Sequence, residues 1–288
     1  MGGAVLQEKI GIITDSTCDL PKELANNLGV EILPLRILYK DREYRDSVDI
    51  SLDEVYSSLD VEIPSTSLPS PEDVSTLLNK MKAQGYTHII AIHLSSKLSG
   101  TSQMIQTVAD NVKDMVVKVI DSKSISMGLG LMVMEAVDAI KSNKSFDAIC
   151  QHVMAIRKRL SVCFVLDTLE YLKRGGRIGK VSATLGQLLN VKPIITVNEE
   201  GVYTTLAKVR GRKKSLDQMF TIAKEKISDV ISRVAVCYGG AENEAKELLS
   251  KFQSLPNVQQ LVLSKVSPVI GVHTGPGTVG FAVLQKDS

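Results

Sequence analysis

The sequence predicts an α/β protein made of two α/β domains. Its 288 residues exceed the usual size of a single hydrophobic core. Through the first half, short β-rich runs alternate with helical periods, which is typical of a doubly wound, mostly parallel sheet with helices on both faces. After about residue 160 the predicted strands alternate more strongly, which indicates a mixed sheet. We therefore expect an N-terminal domain over 1–160 and a C-terminal domain over 161–288.

The individual elements follow from the period of the apolar residues. Runs rich in β-branched residues predict strands, and apolar residues spaced three or four apart predict helices. In the first half, strands are expected at 9–15, 30–39, 88–94 and 115–121, and helices at 21–29, 51–59, 71–85, 100–112 and 128–143. In the second half, strands are expected at 162–168, 193–206, 233–240, 258–266 and 277–285. The run at 193–206 reads as a hairpin, since Gly201 supplies a positive φ at its turn.

Composition argues against several classes of function. The net charge is only +2, so neither nucleic acid nor a membrane surface is expected as the main partner. Trp is absent and aromatic residues make up 4%, which argues against base-stacking platforms and sugar-binding clefts. The four cysteines lack metal-binding spacing, so we expect buried, reduced thiols and no metal site. Without a signal-like N-terminus or an apolar run of about 18 residues, a cytoplasmic protein without integral membrane contact is expected.

A hydroxyl-rich loop follows the predicted strand at 88–94 and opens a helix. Backbone amides at the start of a helix attract anions, and Ser95, Ser96, Ser99 and Thr101 add hydroxyl donors. Such residues also serve as simple N-caps. A second hydroxyl loop at 64–73 favours a binding crevice, because consecutive loops at the carboxyl ends of parallel strands face one another.

Further candidate residues lie near the C-terminus and in two basic segments. His273 precedes a stiff Gly-Pro-Gly turn and can share a proton with a carboxylate or phosphate, although a lone His is often structural. The glycine-rich turn at 171–180 is not a phosphate-binding P-loop, since its spacing is too short and Val181 replaces the Ser or Thr. This turn and 208–214 are two basic clusters. Each is either solvated surface or, where the two share one face, suited to an acidic partner protein or a phosphate.

With these motifs assembled, the whole chain resembles the DegV family, which includes the fatty-acid-binding subunits of bacterial fatty acid kinase. The resemblance extends over nearly all of the chain, because many motifs occur in order and in register. The matching segments are ITDSTCDLP, PSTSLPSP, SSKLSGTSQ, VIDSKSISMGLG, LEYLKRGGRIG, LLNVKPIITVNEEG, KVRGRKK and HTGPGTVG.

The resemblance implies that one long-chain fatty acid is enclosed between the domains and that the chain is not itself an enzyme. It implies that hydroxyls hold the carboxylate while the tail occupies an apolar tunnel. The carboxylate binders would be Thr66, Ser99 and His273, with Ser67, Ser96 and Gly100 as near neighbours.

The resemblance also implies a partner, a separate acyl kinase with its own ATP site. Arg177 and Arg210 occupy the positions that would engage this kinase, and no cofactor beyond the bound fatty acid is implied. Two positions depart from the family pattern: Leu68 stands in place of Gln, and Ser102 in place of an aromatic residue. Neither change removes a proposed carboxylate ligand.

Two other functions compete with the carrier. The first is a phosphotransferase or hydrolase that uses Asp15, at the end of the first predicted strand, together with His273. No second acidic cluster in the sequence offers further ligands for Mg²⁺. The second is a lipid-responsive interaction protein without a kinase partner.

Overall fold

The computed structural model describes residues 8–184 and 190–286. The ends of both expected domains and part of the LLNVKPIITVNEEG segment therefore lie outside the described residues. Within them, the α/β architecture predicted from the sequence is confirmed, with one parallel sheet, one mixed sheet and a small third sheet.

The first sheet is parallel and has the strand order β2-β1-β6-β7. Its strands are β1 (Ile10–Asp15), β2 (Glu31–Leu33), β6 (His88–His93) and β7 (Val116–Asp121). Buried side chains alternate between its two faces, because successive residues of a strand point in opposite directions. Ile12 and Ile90 face one side, whereas Ile13 and Ile89 face the other.

Helices cover both faces of this sheet, as a doubly wound fold requires. One face packs against α3 (Pro71–Ala83) and α4 (Thr101–Ala109). The other packs against α1 (Lys22–Leu28), α5 (Met127–Lys141) and α6 (Phe146–Ile156).

A small antiparallel sheet of order β4-β3-β5 lies beside the parallel sheet. It consists of β3 (Arg36–Leu38), β4 (Glu43–Arg45) and β5 (Ser65–Ser67), and α2 (Leu52–Ser58) packs nearby. The prediction of one strand over 30–39 was wrong. The chain leaves the parallel sheet after Leu33, at Pro34, whose missing N–H ends the ladder, and Arg36 begins a strand in the small sheet.

The mixed sheet has the order β10-β9-β8-β13-β11-β12, in which only β11 and β12 pair in parallel. Its strands are β8 (Leu160–Val165), β9 (Val191–Val197), β10 (Tyr203–Arg210), β11 (Ser232–Gly239), β12 (Val258–Lys265) and β13 (Thr278–Gln285). The expected hairpin joins β9 to β10, and Gly201 has a φ of +84° at its turn. The helices in this half of the chain are α7 (Glu170–Arg174), α8 (Arg212–Ile227), α9 (Glu242–Gln253) and α10 (Pro268–Thr274).

Helix α5 lies between the parallel and the mixed sheets. It packs against β1 and β6 on one side and against β11 and β13 on the other. It is almost wholly apolar from Met127 to Met134, which is expected of a helix that is buried on every side. In the part of the chain that the structure describes, this helix and the others are each too short or too polar to span a membrane.

Candidate functional site

A cavity of about 250 Å³ lies where the end of the parallel sheet, the small sheet and α10 meet. We call it the head cavity. Its polar lining consists of Thr17, Thr66, Ser67, Ser99, Arg177, His273 and Thr274, together with Gly100 and apolar side chains. The three predicted carboxylate binders, Thr66, Ser99 and His273, therefore line one cavity together with the predicted neighbours Ser67 and Gly100.

Thr66 and His273 form the central polar contact of this cavity. The Thr66 Oγ1 atom lies 2.8 Å from His273 Nε2. Thr66 is positioned by β5, where it pairs with Ile37 of β3, and His273 lies in the last turn of α10. Two elements that are distant in the chain thus bring a hydroxyl and an imidazole together.

The imidazole of His273 is held neutral. Burial lowers its pKa to about 4, and the nearby positive charge of Arg177 acts in the same direction. In the described structure the Nδ1 atom is buried without a hydrogen-bond partner. A buried lone pair is tolerated better than a buried N–H, so the proton is assigned to Nε2, which donates to Thr66. The Thr66 hydroxyl is then free to donate its own proton into the cavity.

The second wall of the head cavity is the loop that precedes α4. The Ser99 hydroxyl lies 2.9 Å from that of Thr101, and Gly100 is the residue before the helix begins. Ser95, earlier in the loop, donates a hydrogen bond of 2.8 Å to the carbonyl of Gly201 in the β9–β10 turn. This bond ties the loop to the mixed sheet and fixes the wall that Ser99 belongs to.

Arg177 lies in the wall of the head cavity, half-buried. Its Nη1 donates to the Gly175 carbonyl at 2.6 Å, and its Nε donates to the Leu98 carbonyl at 3.1 Å. The guanidinium is thus held beside His273 and brings positive charge to the cavity. Arg210, the other basic residue singled out in the sequence, is exposed at the end of β10 and does not line the cavity.

Two further candidate residues, Ser96 and Asp15, do not line the head cavity either. Ser96 is exposed, and its backbone amide donates to Asp121 at 3.2 Å. Asp15 is fully buried, with both carboxylate oxygens occupied. Its Oδ1 accepts from the amide and hydroxyl of Thr17 at 3.1 and 2.5 Å, and its Oδ2 lies 3.0 Å from both the Leu94 amide and His93 Nδ1. These contacts fix Thr17 and the start of the Ser99 loop.

A second, apolar cavity of about 40 Å³ continues from the head cavity, and we call it the tail cavity. The two share Ile125, Tyr203, Ile270 and Thr274 in their walls. Farther from the head cavity, the wall is formed by α5 and the facing side of the mixed sheet, including Met127, Val162, Phe164, Val266 and Ala282. The head cavity, whose polar groups lie among apolar side chains, thus adjoins a second cavity that is almost wholly apolar.

Sequence reasoning missed Thr17 and Tyr203 as cavity residues. Tyr203 packs edge-on against Phe164, with ring centroids 5.2 Å apart, at the junction of the two cavities. Its position just after the β9–β10 turn was the only available signal, since nothing in the local pattern shows that the hairpin folds over the loop after β6. All four cysteines are buried free thiols. Among the described residues, no group of three or more His, Cys, Asp or Glu side chains is arranged to hold a metal.

The comparison with known families is decisive. A model of the DegV family, a group described as uncharacterised proteins, matches residues 9–286. The chain belongs to the DegV family. A DegV domain-containing protein of Clostridium acetobutylicum is 45% identical over 280 residues, which cover 97% of this chain and 100% of that protein.

Several similar proteins of known structure are described as fatty-acid-binding. The fatty-acid-binding DegV protein of Thermus thermophilus is 34% identical, with a TM-score of 0.90, and the match covers 96% of this chain and 100% of that one. The stearic-acid-binding protein of Eubacterium ventriosum is 29% identical, with a TM-score of 0.87, and the match covers 96% and 99% of the two chains.

Proposed function

We propose that this DegV-family chain binds one long-chain fatty acid, with the carboxylate in the head cavity and the acyl chain in the tail cavity. The observation that carries the proposal is that the two cavities adjoin and share wall residues, since a cavity with hydroxyls, an imidazole and a guanidinium beside an apolar cavity matches the two ends of such a ligand. The similar proteins of Thermus thermophilus and Eubacterium ventriosum bind fatty acids, which supports the same ligand.

The head cavity suits a carboxylate. The hydroxyls of Thr66 and Ser99 are available as donors, the amides that open α4 lie beside Gly100, and the guanidinium of Arg177 supplies positive charge. An enclosed carboxylate needs such partners, because a buried charge without hydrogen bonds is costly. His273 acts through Thr66, whose hydroxyl it orients toward the ligand.

The acyl chain would supply most of the binding free energy. Each buried methylene contributes roughly 0.8 kcal/mol, so a chain of many methylenes outweighs the oriented hydrogen bonds at its head. The tail cavity has a volume of about 40 Å³, and a long chain must therefore displace wall side chains. Met127 is suited to such movement because its unbranched thioether adapts to different shapes.

The binding proposal is tested by titrating delipidated protein with stearate and following the heat of binding. We expect saturable binding of about one equivalent, with a negative heat-capacity change from burial of the acyl chain. Octanoate is the control, because it offers the same carboxylate with fewer methylenes and should bind far more weakly. Equal affinity for the two acids, or no saturable binding, would contradict the proposal.

We further propose that the chain is a non-catalytic carrier in the cytoplasm, which presents the bound carboxylate to a separate acyl kinase. In that reaction a carboxylate oxygen would attack the γ-phosphate of ATP on the kinase, giving an acyl phosphate and ADP. Residues 1–160 and 161–288 would act as the two lobes that enclose the substrate. The alternative of an enzyme using Asp15 is disfavoured, because its carboxylate is fully hydrogen-bonded outside the head cavity.

The partner surface would include Arg210. Because this side chain is exposed and outside the head cavity, Arg210→Glu should leave fatty-acid content unchanged and reduce acyl phosphate formation by an added bacterial fatty acid kinase. Lys113→Glu, in the turn before β7, is the charge-reversal control. Unchanged phosphoryl transfer in Arg210→Glu would favour a lipid-responsive interaction protein without a kinase partner.

A further inference from the structure

Helix α10, which carries His273 in its last turn, begins in an unusual way. The residue before its first turn is Ser267, yet the Ser267 side chain makes no capping hydrogen bond. A helix start normally needs such an acceptor, because its first amides have no partner within the helix. Here the acceptor comes from a distant segment. Asp46 Oδ1, just after β4, accepts a hydrogen bond of 3.1 Å from the amide of Val269.

A second carboxylate supports the same helix start. Asp19 Oδ1 accepts from the amide of Ser267 at 2.8 Å, and Asp19 Oδ2 accepts from the hydroxyl of Ser126 at 2.5 Å. Ser126 precedes α5 and lines the tail cavity. The starts of α5 and α10 are therefore joined through one carboxyl group.

Both acids are kept in positions that are unfavourable for a charge. Asp46 is 1% exposed and Asp19 is 5% exposed. Burial raises the pKa of Asp46 to about 6 and that of Asp19 to about 8, and each also feels other buried acids nearby. An apolar residue would fill these positions at lower cost, but it would offer no acceptor to the helix amides. The favourable interaction of an acidic group with a helix N-terminus acts in the same sense as the hydrogen bond.

Helix α10 contributes residues from its first to its last turn to the wall of the head cavity. Val269, Ile270, His273 and Thr274 all line that cavity. His273 lies four residues after Val269, about one helical turn farther on, so a shift of the first turn is transmitted directly to the imidazole. The contact that depends on this placement is the 2.8 Å approach of His273 to Thr66.

We propose that Asp46 is a positioning residue, which caps α10 from the N-terminal half of the chain and thereby holds His273 against Thr66. Its consequence for fatty-acid binding rests on the function proposed above. The effect of Asp46 on the surroundings of His273 does not depend on that function. The two effects can therefore be measured separately.

The test compares Asp46→Ala with Asp46→Asn, since Asn keeps a side-chain oxygen that can accept from Val269 whereas Ala does not. Asp41→Ala, at an exposed position in the turn between β3 and β4, is the control for loss of an acidic group. The first readout is the titration of His273 by NMR in delipidated protein. The wild type and Asp46→Asn should titrate well below the usual range, and Asp46→Ala should shift upward by about one pH unit as the imidazole loses its packing. Amide signals of α9, which packs on the face of the mixed sheet away from α5, should not change, and this separates repositioning of α10 from general loosening of the fold.

The second readout is the rate of stearate release from loaded protein. We expect release to be about fivefold faster in Asp46→Ala, the effect of losing one helix cap, and within twofold of the wild type in Asp46→Asn. If Asp46→Ala does not fold, Asp46→Ser replaces it, because its shorter side chain cannot reach the Val269 amide. The proposal would be overturned if Asp46→Ala or Asp46→Ser folds and its His273 titrates as in the wild type. If the wild type binds no stearate but the His273 titration still shifts in Asp46→Ala, only the proposed fatty-acid function is overturned.

Discussion

Gly175 lies directly against the imidazole of His273. A Cβ atom at position 175 would stand 2.1 Å from His273 Nδ1, which is far inside contact distance. The backbone of Gly175 is also a hydrogen-bond acceptor for Arg177, so this one residue fixes the positions of both the imidazole and the guanidinium. The glycine-rich turn that resembles a phosphate loop in the sequence is thus used to pack closely against a histidine.

We predict that Gly175→Ala displaces His273 and weakens retention of the fatty acid by about tenfold, since a clash with a ring must be relieved by moving it. The matched control is Gly176→Asn. Position 176 has a φ of +71° and open space around it, and Asn tolerates that conformation. The measurement is the affinity for stearate in both variants. Equal losses would show that the turn, and not the contact with His273, determines binding.

Removing the Thr66 hydroxyl should weaken carboxylate binding. Thr66→Val keeps the shape of the side chain and deletes the donor, so we expect a loss of about 1.5–3 kcal/mol in stearate affinity, the usual effect of one hydrogen bond to a charged group. Ser96→Ala is the control, because Ser96 is exposed and outside the head cavity. If Ser96→Ala reduced affinity as much as Thr66→Val, the carboxylate would have to sit at the outer side of the loop.

Filling the tail cavity should change chain preference. Ala282 lines this cavity from β13, and Ala282→Val adds two methyl groups to its wall. We expect Ala282→Val to lower the affinity for stearate more than the affinity for a shorter acid such as laurate. The ratio of the stearate affinity to the laurate affinity should therefore be lower in the variant than in the wild type. Val283→Ile enlarges the neighbouring residue on the opposite face of the strand, where it packs toward α8 and α9, and should leave the preference unchanged. An unaltered stearate-to-laurate ratio in Ala282→Val would place the acyl chain elsewhere.

Stability should depend on pH through Asp19. Its folded-state pKa is raised by burial to about 8, above the unfolded value near 3.8. The folded state therefore holds this proton more tightly, and the associated stabilisation is present at low pH and is lost as the pH rises from about 4 to 8. Asp19→Asn removes this titration, so the free energy of unfolding of the wild type relative to Asp19→Asn should fall by a few kcal/mol between pH 5 and pH 8. Urea unfolding at both pH values measures it, and a constant difference would contradict the assignment.

Local sequence patterns predict much of the fold. The strands β1, β6 and β7, the helices between them and the β9–β10 hairpin follow from periodicity and from Gly201. The strand expected over 30–39 failed because its apolar run is continuous across Pro34, and periodicity does not show that the two halves join different sheets.

The sequence predicted most of the residues of the site but not the elements that position them. Thr66 was expected on a loop at the rim of the parallel sheet, yet it lies in β5 of a small antiparallel sheet and reaches His273 from there. Arg177 was expected on a partner surface and lies in the cavity wall. Contacts such as these join segments far apart in the chain, and no local propensity encodes them. The Asp46 cap on α10 is of the same kind, since neither segment signals the other.

The most direct measurement is denaturing extraction of the purified protein, followed by mass spectrometry of the small molecules released, for the wild type and Thr66→Val in parallel. The wild type should release about one equivalent of a long-chain fatty acid, and Thr66→Val should release less of the same acid. An empty wild-type protein that also fails to take up added stearate would contradict the proposed carrier function.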